Sequence, residues 1–153
     1  MKRSLVLLIL AAIMMAGCTT SGATGVIEVT DVWGRNSPMA AQNGAFYMVI
    51  SNNSGQDDTL IGAQADICGT VELHEMYKKE NDVMGMRQVP GGEIELPSGD
   101  TVELKVGGLH VMCIGKKAPF EVGDKFPITL QFANAGDMEV TAEIRESQME
   151  MDG

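Results

Sequence analysis

Only two histidines occur in the 153-residue chain, and each lies two positions before a methionine, in His74-Glu75-Met76 and His110-Val111-Met112. Between them Met84 and Met86 form a further methionine pair with the same spacing. Imidazole plus thioether, without thiolate or carboxylate, is a soft and neutral donor set. Among biological metals it favours Cu(I) over zinc, calcium or magnesium. A copper ion handled outside the cytoplasm needs soft donors, yet thiolates there oxidise to disulfides. A thioether has no proton to lose and forms no disulfide, although it can become a sulfoxide. Histidine adds a stronger nitrogen donor that must be neutral to bind. Such a site is expected to hold Cu(I) for transport and to surrender it to a thiolate-rich acceptor.

His74, Met86, His110 and Met112 are therefore the expected metal ligands, with Met76 and Met84 as possible secondary donors. Met39, Met48 and Met138 read as ordinary packing residues. The competing chemistries fit less well. A blue-copper site requires a Cys thiolate, two histidines and an axial Met. Here Cys113 follows both His110 and Met112, and its side chain alternates away from them. No Ser/His/Asp set with recognisable context, no His-Glu-x-x-His and no Gly-rich phosphate loop is present. Two histidines beside methionines leave little for general acid–base work, so no enzyme is expected.

The elements that must position these donors read as strands. Residues 26–33, 44–52, 58–62, 70–78, 83–89, 101–106, 109–115, 126–133 and 138–145 carry strand patterns. Turn signals such as Asn53-Ser54-Gly55, Pro90-Gly91-Gly92, Pro97-Ser98-Gly99-Asp100 and Gly107-Gly108 separate them. Many short strands at near-regular spacing predict an all-β fold, an antiparallel Greek-key sandwich or barrel. Alternation places Val71 and Leu73 on one face of their strand and Glu72, His74 and Met76 on the other. Likewise Leu109, Val111 and Cys113 oppose His110 and Met112. With the aliphatic faces in the core, both His/Met pairs are expected on outward faces, converging on one exposed patch.

The ends have a different character. Lys2 and Arg3, an apolar run from Leu5 to Met15, and Ala16-Gly17-Cys18 have the anatomy of a secretory signal, too short for an ordinary membrane span. Cysteine after small residues resembles a bacterial lipoprotein cleavage site. The expected organisation is a lipoprotein signal peptide over 1–17, acylated Cys18 opening a flexible tether over 18–25, one β domain over 26–146 and a frayed tail over 147–153. That places the protein on the periplasmic or extracytoplasmic face of a bacterial membrane, held by a lipid anchor. Removing Lys2 and Arg3 leaves 9 basic residues against 21 acidic, a net charge of −12 with neutral histidines. Such a surface repels nucleic acid and anionic lipid, so attachment must come from the acyl chains. Cys68 and Cys113 could form a disulfide or remain as free thiols; spacing does not decide between them.

In these residues the chain resembles the periplasmic copper chaperones of the PCu(A)C type, small cupredoxin-like β-barrels. The resemblance spans about residues 26–145. It shows in Val32-Trp33-Gly34-Arg35, Asn43-Gly44-Ala45-Phe46-Tyr47, Val71-Glu72-Leu73-His74-Glu75-Met76, Val83-Met84-Gly85-Met86-Arg87 and Gly107-Gly108-Leu109-His110-Val111-Met112. The family's motif is His, a methionine some twelve positions on, then His-x-Met, and His74, Met86, His110 and Met112 follow it in order. The resemblance implies a Cu(I) chaperone that exchanges copper with donor and acceptor proteins. The implied acceptors belong to the assembly of the copper centre of respiratory oxidase. Some members take Cu(II) on a His/Met-rich C-terminal extension; here the tail offers Met149 and Met151 but no His. Cys68 and Cys113 depart from the family pattern. The alternatives are a copper-buffering resistance protein with the same site, or a non-metal structural sandwich lipoprotein.

Overall fold

Strand-forming segments punctuated by glycine turns build ten strands in the computed structural model, which describes residues 26–146. The expected signal peptide, Cys18, the tether and the tail with Met149 and Met151 lie outside the described residues. The strands are β1 (Ile27–Arg35), β2 (Gly44–Asn52), β3 (Asp58–Gln64), β4 (Thr70–Lys78), β5 (Met84–Gln88), β6 (Ile94–Leu96), β7 (Thr101–Leu104), β8 (His110–Ile114), β9 (Lys125–Phe132) and β10 (Gly136–Arg145). Nine of them match the expected segments. The short β6, three residues on the edge of β3, was not expected.

The strands join in the order β5-β4-β8-β2-β1-β10-β9-β3-β6, and β7 also pairs with β2. The hydrogen-bonded path is open, ending on β5 and β6, while the sheet curls around one core. One edge of β2 is divided: Gly44–Phe46 face β8, and Met48–Ser51 face β7. All strand pairs are antiparallel except β1 with β10, where Trp33–Arg35 run alongside Glu143–Arg145. That parallel pair is the one departure from the expected antiparallel pattern. Phe46, Met48, Ile50, Leu73, Val111, Phe120, Ile128, Leu130 and Ile144 fill the interior. Met48 is thus a core residue, and Met138 packs against the same cluster.

Two devices hold the site-bearing strands. Leu73 and Val111 face each other across β4 and β8, and both are buried. Fully burying such side chains is worth about 1.5–3 kcal/mol each. A one-residue slip would expose them and turn the histidines into the core, so the hydrophobic pattern fixes this register. The second device is covalent. Cys68 and Cys113 form a disulfide across a sequence separation of 45, tying the Ala65–Cys68 turn to β8. On chain-entropy grounds a loop of that size is worth about 4 kcal/mol.

At the start of β3, the buried Asp58 carboxylate accepts hydrogen bonds from the backbone N–H groups of Thr59, Asn134 and Ala135. Burial pushes its pKa up, but the N–H groups of Asn134, Thr59, Ala135 and Ala133 outweigh it, and the pKa ends below the ordinary 3.8. A depressed carboxylate pKa contributes stability above the unfolded value and loses it as pH falls through the folded value. Asp58→Asn should therefore destabilise the domain by about 1–3 kcal/mol at pH 7 in urea unfolding. The difference from wild type should shrink below about pH 4. A pH-independent difference would show that the charge does not matter.

Candidate metal centre

The donors are assembled by register. β4 lies between β5 and β8. His74 sits directly opposite His110, Glu72 opposite Met112, and Met76 opposite Met86. Because alternate residues share a face, these six side chains rise from the same side of the sheet, while Leu73, Val111 and Cys113 point into the core. The sequence expectation of a shared face for the donors holds.

The expectation of an exposed patch does not. His110 is only 4 % exposed and Met112 only 7 %. The physical reason is that β8 is an interior strand with both faces covered. On its non-core side the Tyr47 ring lies 6.2 Å from the His110 ring, and Trp33 packs on Tyr47 at 4.6 Å. Met86, on the edge strand β5, stays 46 % exposed and leans across β4 until its Sδ is 3.1 Å from His110 Nε2. The imidazole rings of His74 and His110 are 5.8 Å apart. Met86, His74 and His110 thus converge, and Met112 lies two residues along β8 on the same face, diagonal to His74.

Hydrogen bonds fix both imidazoles in defined tautomers. The Gly108 carbonyl accepts from His110 Nδ1 at 3.1 Å, which leaves Nε2 with a bare lone pair. Neither Nε2 nor the Met86 sulfur then carries a hydrogen, so their contact joins two electron-pair donors and is no hydrogen bond. A tetrahedral ion with bonds of about 2.0 Å to nitrogen and 2.3 Å to sulfur separates its ligands by about 3.5 Å. The pair needs to open by only a few tenths of an ångström. His74 is arranged the other way round. Its Nε2 donates to Glu72 Oε2 at 2.8 Å, and its Nδ1 is buried without a partner. A buried unpartnered nitrogen costs about 1–3 kcal/mol, a deficit that a bound cation would remove. A carboxylate or carbonyl behind each ligating imidazole is the usual outer support of a metal site.

Burial, together with the neighbouring His74, holds the His110 pKa below the ordinary 6.5, against the opposing pull of the Gly108 carbonyl. The ring is consequently neutral and able to ligate at pH 7. Among the described residues no three His, Cys, Asp or Glu side chains gather where they could hold a metal. Any ion here would depend on thioether sulfur. Hard cations such as calcium and magnesium do not suit that donor set.

Next to the centre is a cavity of about 590 Å3, walled on this side by Met76, Met86, His110, Met112 and Tyr47. Met76 is therefore within the site's surroundings. Met84 is half exposed, pairs with Lys78 near the hairpin tip and does not line the cavity. Gly107 forms part of the wall with φ +81°, a left-handed conformation suited to glycine in the turn that presents His110. Three contributors were missed from sequence. Glu72 was legible by alternation, two residues before His74. Nothing local marked Tyr47 or the Gly108 carbonyl, whose roles arise from tertiary contact.

The family model described as "Putative lipoprotein LpqE-like" matches residues 27–144. The chain belongs to the LpqE-like family. One relative of this LpqE-like chain is the putative lipoprotein Lxx21020 of Leifsonia xyli subsp. xyli. It is 29 % identical over 122 residues, covering 78 % of this chain and 70 % of the relative. Among solved structures, the apo PCuAC domain from PmoF1 superposes with a TM-score of 0.68 at 26 % identity, covering 81 % of this chain and 97 % of that one. The solution structure of CuI-DR1885 from Deinococcus radiodurans gives 0.64 at 28 % identity, covering 85 % and 86 %. The LpqE-like chain thus has the PCuAC fold, and the cupredoxin-like expectation stands, with an open rather than closed sheet.

The tautomer assignment can be checked without any metal. Nitrogen-15 NMR above the imidazole titration range should show His110 protonated on Nδ1 and His74 on Nε2. Glu72→Ala removes a charged hydrogen bond worth about 1.5–3 kcal/mol. It should return His74 to a tautomer mixture and leave His110 unchanged. A His74 spectrum identical in wild type and variant would refute the role given to Glu72.

Proposed function

We propose that this protein is a lipid-anchored, extracytoplasmic copper chaperone that carries one Cu(I) on His74, Met86, His110 and Met112 and releases it by ligand exchange. It is a carrier and not an enzyme. The observation that carries this reading is the pair of imidazoles held in opposite tautomers, His110 with its free Nε2 beside the Met86 thioether and His74 with a buried, unpartnered Nδ1. No protein group among the described residues satisfies that buried His74 nitrogen.

The relatives support the same reading. A Cu(I)-bearing DR1885 shares 28 % identity with this chain, and the Leifsonia relative is described as a lipoprotein, in keeping with Cys18 as the acylated residue. Donors and acceptors are other copper proteins, and the resemblance to PCu(A)C chaperones points toward those that assemble the oxidase copper centre.

The geometry divides the labour among the ligands. His110 and Met112 are buried on an interior strand and form the fixed floor. Met86 is the exposed lid ligand on an edge strand, so it is the thioether that an incoming group displaces first. Met76, opposite Met86 and on the cavity wall, is the secondary donor.

Titration with Cu(I) in ascorbate, against a chromogenic chelator, should show one equivalent bound tightly. Met86→Leu should weaken binding by about tenfold or more, ~1.4 kcal/mol, whereas Met39→Leu should leave it unchanged. Equal losses in the two variants would remove Met86 from the site, and no tight uptake by the wild type would overturn the function.

Acid supplies a further test. Protonated imidazole cannot ligate, and the lowered pKa of His110 delays its protonation to below about 6.5. Copper should stay bound at pH 7 and be released toward about pH 4. Affinity unchanged at about pH 4 would contradict a histidine-dependent site.

A further inference from the structure

The cavity beside the centre has two chemically different ends. One end is the soft wall of Met86 and His110, and the other is formed by Arg35, Asn36, Ser37 and Asn43. Among the described residues no carboxylate lines it, although the chain carries 21 acidic residues against 11 basic ones. Arg35, at the end of β1, is the one cationic wall residue among those described. The ion pairs among the described residues occupy Lys78, Arg87, Lys105 and Arg145, and none involves Arg35. Its charge is felt at the site: burial raises the Tyr47 hydroxyl pKa, and the nearby guanidinium opposes that rise. Tyr47 is the ring that covers His110.

A strongly acidic protein repels anions generally, so an acid-free cavity with an unpaired arginine is a local exception in its field. We propose that this cavity is the copper-exchange port and that it selects a thiolate ligand bearing a neighbouring carboxylate. The sulfur would occupy the soft end and the carboxylate the Arg35 end, where guanidinium matches it geometrically. A cysteine next to an acidic residue on an acceptor has this chemistry. The inference rests on the Cu(I) function proposed above.

The exchange balances without any redox partner. The incoming thiol loses its proton to water, and its sulfur lone pair forms a bond to Cu(I). The bond from Cu(I) to Met86 Sδ breaks, its lone pair returning to the neutral thioether, and copper remains Cu(I) throughout.

Three small thiols differing in charge test this: 3-mercaptopropionate, 2-mercaptoethanol and cysteamine. The rate at which each draws Cu(I) from the loaded protein is measured for wild type, Arg35→Gln and Arg35→Lys. Comparing proteins for each thiol cancels differences in thiol acidity. A unit charge near a protein surface is worth enough to expect Arg35→Gln to slow mercaptopropionate by about three- to tenfold. Mercaptoethanol should be unaffected, and Arg35→Lys should restore most of the loss. Raising the salt to about 1 M, where screening reaches about 3 Å, should abolish the wild-type advantage.

Failure of the wild type to take up Cu(I) would overturn the function and this inference together. Normal uptake with equal mercaptopropionate rates in wild type and Arg35→Gln would overturn the inference alone. Equal slowing of all three thiols would also overturn it, since that marks a structural defect and not recognition of charge.

Discussion

The pairing of His74 with His110 across β4 and β8 is the constraint on which the site depends. The two histidines are 36 positions apart in sequence, and they approach each other only because two strands run antiparallel in one register. That register is set on the opposite face, where Leu73 meets Val111 in the core, and it is reinforced where the Cys68–Cys113 disulfide anchors β8. The energy that positions the donors is therefore hydrophobic and covalent. It is supplied away from the donors, which leaves the polar face free to carry groups that cost stability.

One such cost is visible. The unpartnered His74 nitrogen is a buried polar atom of the kind folded proteins avoid. The remaining hydrogen-bond capacity of both rings is satisfied from behind, by Glu72 and by the Gly108 carbonyl. A site preorganised in this way loses little entropy when it binds an ion, and it excludes hard cations by offering neutral sulfur and nitrogen. Of the thioethers on that face, Met112 is buried and Met86 half exposed. The two stand on different strands, one interior and one at the edge.

Much of this was legible in the sequence. The i, i+2 spacing of His74 with Met76 and of His110 with Met112 gave each pair one face, and the strand pattern predicted nine of the ten strands. Depth was not legible. Alternation says which face His110 occupies, but a ring of tertiary neighbours decides whether that face meets water, and Tyr47 comes from β2, far away in the chain. Nor could spacing reveal that Cys68 and Cys113 meet, since their distance depends on how the Ala65–Cys68 turn packs under β8. β6 escaped notice because three residues carry too little alternation to register as a strand.

X-ray absorption of the Cu(I)-loaded protein counts the atoms bound to the ion and identifies them as nitrogen or sulfur. A four-ligand site of His74, His110, Met86 and Met112 should give a mixed shell of two nitrogens near about 2.0 Å and two sulfurs near about 2.3 Å, with imidazole multiple scattering from both rings. A shell of sulfur alone, or one with a single imidazole, would contradict it.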